Sequence, residues 1–110
     1  MIEVFYIGQG DVLPYYYAQV RNKDGPVSLS DVMAVTFRMA NISTLSVVVS
    51  DVAYITDTLL GMVEYRWAVA DTSTTGEYAI SFEFTKAAGS FSLPRSEMAK
   101  VVVENEFVTG

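Results

Sequence analysis

The sequence predicts an all-β fold, a two-sheet antiparallel sandwich of seven to nine short strands. Three observations predict it. Apolar and polar residues alternate along short runs, the period of a strand with one buried face. Turn residues recur at intervals of roughly ten residues, the spacing of short sandwich strands. No convincing helical run interrupts them. At 110 residues the chain is the size of one domain, 1–110, with no linker or internal repeat.

The organising stretch is Gly61-Met-Val-Glu-Tyr-Arg-Trp67 followed by residues 71–85. It reads as two antiparallel strands joined by a polar turn. Val63, Tyr65, Trp67 and Val69 share one face of the first strand; Met62, Glu64, Arg66 and Ala68 share the wetter face. In the second, Tyr78, Ile80, Phe82 and Phe84 point inward.

Residues 2–7 are apolar on both sides, which fits either a strand covered on both faces or an arm lying on a partner. Gly8-Gln-Gly10-Asp11 is a turn without a following helix, so it is no phosphate loop. Residues 13–21 form the next strand, with Pro14 at its start because proline cannot donate to a ladder. Tyr16, Ala18 and Val20 form its core face. Tyr15 and Tyr17 point outward, to serve as an interface or to be covered by another part of the domain. Asp24-Gly-Pro26 is a turn. Residues 30–33 could make one helical turn capped by Ser30. A strand follows with Val35, Phe37 and Met39 inward.

Asn41-Ile-Ser43 matches the glycosylation pattern, but within a loop of a chain that shows no secretion signal. Residues 45–49 and 52–55 are β-rich and form either a tight hairpin at Ser50-Asp51 or one long strand with a bulge. After the turn at residues 86–89, a short strand stops at Pro94. The last strand carries Ala99, Val101 and Val103 inward. The tail after it holds Phe107 and Val108, apolar residues that a free tail rarely needs. Residues 1–7 and 105–110 are thus candidate interaction arms.

Composition narrows the chemistry. Histidine and cysteine are both absent. The usual general base, the commonest metal ligand, thiolate nucleophiles and disulfides go with them. Ser28, Ser30 and Thr72 therefore lack an activating base. Asp51 with Asp57, or Asp71 with Glu77, could pair carboxylates near a loop, but no calcium-loop motif surrounds them, and turn acids usually bond their own backbone. No enzyme activity, cofactor or metal is expected. A net charge of −6, with seven scattered Lys and Arg, disfavours nucleic acid. No apolar run is long enough for a transmembrane helix. The N-terminus lacks a basic leader, so synthesis in a cytoplasm without export is expected.

Gly76-Glu-Tyr78, five residues after Asp71 at the head of an alternating strand, resembles the tyrosine corner of immunoglobulin-type (Ig-like) domains, whose hydroxyl bonds nearby backbone. Ile80 stands where antibody domains carry their second core cysteine. A wider set runs in order from about Gly8 to Glu104: Asp11-x-Leu-Pro14, Ala18-Gln-Val, Asp24-Gly-Pro-Val-x-Leu29, Val35-Thr-Phe-Arg-Met39, Gly61-x-Val-x-Tyr-x-Trp67, Asp71-Thr and Gly76-Glu-Tyr78…Phe82-Glu-Phe84. It resembles a small β-sandwich of tailed-bacteriophage virion genes, similar to the N-terminal domain of phage baseplate upper proteins and to stand-alone head or tail accessory proteins. The resemblance implies an Ig-like structural virion component, made in the host bacterial cytoplasm and docked on capsid, neck, tail or baseplate proteins in symmetric repeated copies, with homo-oligomers included. Phe5, Tyr15, Tyr17, Phe107 and Val108 are the expected interface residues, and residues 2–7 and 45–49 the expected edges for main-chain pairing. The rival expectation is a virion-displayed module that binds carbohydrate or a cell surface. Trp67 could stack on a sugar, but its inward strand position points to core packing.

Overall fold

The computed structural model describes residues 3–93 and 99–105. Among these are ten strands: β1 (Glu3–Gly8), β2 (Tyr16–Gln19), β3 (Arg21–Asn22), β4 (Gly25–Pro26), β5 (Val32–Asn41), β6 (Val47–Asp57), β7 (Met62–Tyr65), β8 (Gly76–Lys86), β9 (Gly89–Leu93) and β10 (Ala99–Glu104). The two-residue strands β3 and β4 pair only with each other. The other eight follow the order β1-β10-β8-β5-β6-β7-β2, with β9 beside the second half of β8.

This is an all-β sandwich whose layers share a strand. The first half of β6 pairs with β5, and its second half pairs with β7. One layer therefore holds β1, β10, β8, β9, β5 and the start of β6. The other holds the end of β6, β7 and β2. After a turn at residues 42–44, Val47–Asp57 is one continuous strand, with no hairpin at Ser50-Asp51. Pairing is antiparallel except that β1 runs parallel to β10.

The organising stretch is divided between the layers. Its two strands do not form a hairpin: β7 pairs with β2 and β6, while β8 pairs with β5, β10 and β9 in the other layer. The connection crosses the end of the sandwich through a 3-10 turn, Val69–Thr72. Val69, expected inward, is exposed there because the strand has already ended at Tyr65. Two features hold the crossing. The Tyr65 hydroxyl and the Ala68 amide both donate to Asp71 Oδ2, the latter at 2.9 Å. The Tyr78 hydroxyl donates to the Thr74 carbonyl at 2.8 Å, four residues back, which is the tyrosine corner. The helical turn expected at residues 30–33 is absent, since Val32 already pairs with Lys86.

Both strands still face one core. Val63, Tyr65, Trp67, Tyr78, Ile80, Phe82 and Phe84 are buried, as are Val35, Phe37 and Met39 from β5 and Ala99, Val101 and Val103 from β10. Phe37 is the hub. It stacks on Tyr65 with centroids 4.1 Å apart and meets Trp67 and Phe82 edge-on, geometries that suit ring quadrupoles. One glycine is demanded by packing. Gly61 has φ +68°, and a Cβ there would lie 2.5 Å from the Val27 carbonyl oxygen.

Candidate functional site

Each carboxylate pair weighed for chemistry has a structural partner. Asp71 holds the crossing turn, Asp57 accepts from the Leu60 amide at 3.0 Å, and Glu77 pairs with Lys100. Among the described residues no group of three or more acids, His or Cys could hold a metal. No helix among them is long and apolar enough to cross a membrane. Thr72 is fully buried and donates to the Asp11 carbonyl at 2.9 Å, tying the β1–β2 connection to the crossing. Trp67 is buried against Phe5, Phe37 and Tyr65, as core packing requires.

The candidate site is the outer face of the β2–β7–β6 layer. Strand alternation builds it. Tyr16 is buried opposite Tyr65, so Tyr17 turns outward opposite Glu64, and Glu64 lies opposite Tyr54 on its other side. Tyr17 is 53% exposed and Tyr54 42%. Tyr15 is half-buried, its ring 6.5 Å from that of Tyr17. Arg66 closes the group. Its Nε donates to Glu64 Oε2 at 2.6 Å, and its guanidinium lies 4.3 Å from the centroid of Tyr54 and 5.9 Å from that of Tyr15.

Glu64 was expected on the wetter face, yet it is only 7% exposed. It shares that face with the tyrosines and Arg66, and the neighbouring side chains cover it. A buried carboxylate needs a partner, and Arg66 supplies it through one nitrogen. The hydrogen bond that Arg66 donates to Glu64 raises the Arg66 pKa further, so the guanidinium stays charged.

The expected interface residues divide. Tyr15 and Tyr17 lie on this face. Phe5 does not: its ring turns inward, edge-on to Tyr16 at 5.2 Å and stacked near Trp67 at 6.1 Å. The outward residue of β1 is instead Tyr6, 60% exposed, because parallel pairing with β10 commits Phe5 and Ile7 to the core. Phe107 and Val108 lie outside the described residues. Tyr54 and Arg66 were not expected in the site. Arg66 shares its outward parity with Glu64 along one strand, whereas Tyr54 joins them only through the β6–β7 register.

The opposite outer face differs. Arg38 pairs with Glu83 at 3.0 Å, and Lys100 with Glu77, across neighbouring strands. No protein-family model matches the chain, and no curated protein matches it.

Proposed function

We propose that this protein is a structural component of a bacteriophage virion, docking on a capsid, neck, tail or baseplate neighbour through the outer face of the β2–β7–β6 layer. The observation that carries the reading is the cluster of Tyr15, Tyr17 and Tyr54 around a fixed Arg66. Tyrosine and arginine are among the residues enriched in protein interfaces, and rings pinned by strand geometry lose little entropy on binding. The ordered motif set, which resembles phage baseplate and accessory domains, supports the virion setting. Tyr6 and Val4 on the edge strand β1 offer a second contact.

A second reading has its own observation: exposed tyrosines on one sheet face also suit stacking on sugar rings, as in a virion-displayed carbohydrate-binding module. The buried Trp67 takes no part in it. One experiment separates them. Changing Tyr15 and Tyr17 to Ser leaves circular dichroism and the thermal midpoint near those of the parent and lowers incorporation into particles. Normal incorporation, together with glycan-array binding by the isolated parent that the variant loses, overturns docking in favour of sugar recognition.

A further inference from the structure

Arg66 is held in an unusual way for a surface arginine. Its Nε is spent on Glu64, and its plane lies against Tyr54 with Tyr15 beyond. Its side chain remains 52% exposed. Among the described residues its two terminal Nη groups have no hydrogen-bond partner. They form a planar fork whose position is fixed before anything binds. Such a fork matches the two oxygens of a carboxylate, and pre-organisation removes the entropy that ordering a long side chain costs.

We infer that the docking partner presents an Asp or Glu side chain, on a protein segment, to the Nη fork of Arg66, with Tyr17 and Tyr54 packing beside it. This rests on the docking reading of the same face. The geometry of the unfilled fork selects the group. The fork faces outward while Glu64 sits behind it, in a chain of net charge −6. A dianionic phosphate meets more repulsion there than a singly charged, planar carboxylate, which also fits the fork.

The test uses the full chain, isotope-labelled, titrated with blocked Gly-Asp-Gly and blocked Gly-Asn-Gly peptides while the Arg66 Nε–H and tyrosine ring signals are followed. Saturable shifts are expected with the aspartyl peptide and none with the asparaginyl one. R66K keeps the charge Glu64 requires but loses the fork, so it folds and binds the aspartyl peptide about tenfold more weakly. Equal response to the two peptides, or equal binding by R66K, overturns the proposal. Glucuronate bound more tightly than the aspartyl peptide overturns the protein source in favour of an acidic sugar. Particle incorporation separates the role of the fork from docking itself. If Tyr17→Ser is lost from particles and R66K is not, the fork fails and docking stands. If both incorporate normally while the aspartyl peptide still binds R66K more weakly than the parent, docking fails, and with it the partner.

Discussion

Two tyrosines do structural work through their hydroxyls, and they report on it through pH. Burial raises the Tyr65 pKa well above its ordinary 10.0, helped by the hydrogen bond to Asp71 and by the charges of Asp71 and Asp51. Burial also raises that of Tyr78. A phenol that keeps its proton in the fold and loses it when unfolded stabilises the fold fully below pH 10, and that stability is lost as pH rises further. The slope is about 1.4 kcal/mol per pH unit for one such group. Urea midpoints measured from pH 9 to 11 should therefore fall, and fall less steeply for Tyr65→Phe, which retains only the Tyr78 contribution. Parallel curves for the two proteins would refute this role. The Phe variant should also be less stable at pH 7, by roughly 1.5–3 kcal/mol, because Asp71 loses a donor.

At the scale of the element, β6 carries the clearest device. Its first half has β5 on one side and no strand of the described residues on the other. Val47, Val48 and Val52 are exposed along it. An open, apolar edge invites pairing with other chains. Asp51 counters this twice. By strand parity it falls on the inner side with Val49 and Ala53, and its Oδ1 accepts the Val52 amide at 2.7 Å. A charge at a core-side position of an edge, still exposed to solvent, with an amide already engaged, disfavours strand addition. The second half of the run expected to pair with neighbours, residues 47–49, lies beside this guard. Asp51→Val should keep the fold yet raise concentration-dependent light scattering and thioflavin binding. A variant as monodisperse as its parent would show that Asp51 does not protect the edge.

For the whole molecule, the two sides of the sandwich are closed differently. On one side β6 passes continuously from layer to layer. On the other, β1 and β2 end their layers unpaired with each other, and Phe5 fills the gap between Tyr16 and Trp67. β1 is thus part of the fold as well as an edge. Removing residues 1–7 takes away the β10 pairing and a core ring together. The expected result is a thermal midpoint lowered by more than about 10 °C, since losing a core aromatic alone costs about 3 kcal/mol and 1 kcal/mol shifts a domain this size by roughly 4–8 °C. An arm that serves only a partner would leave the midpoint unchanged.

The residue pattern alone determined the fold class, the inward faces of β5, β8 and β10, and the tyrosine corner. These follow from side-chain alternation and from a local hydroxyl-to-backbone bond, and both are written in neighbouring residues. It also brought out Tyr15 and Tyr17, because Tyr16 between them is claimed by the core. Only the tertiary structure decided which strands pair. Residues 61–67 and 71–85 looked like a hairpin because a polar turn within an antiparallel pair and a crossing between layers have similar composition. Burial of Phe5 needed the parallel partner β10, about a hundred residues away. The site itself depends on register. Arg66 meets Glu64 through local alternation, but Tyr54 reaches the pair only because β6 crosses from one layer to the other, and that contact between distant segments leaves no periodic mark in the chain.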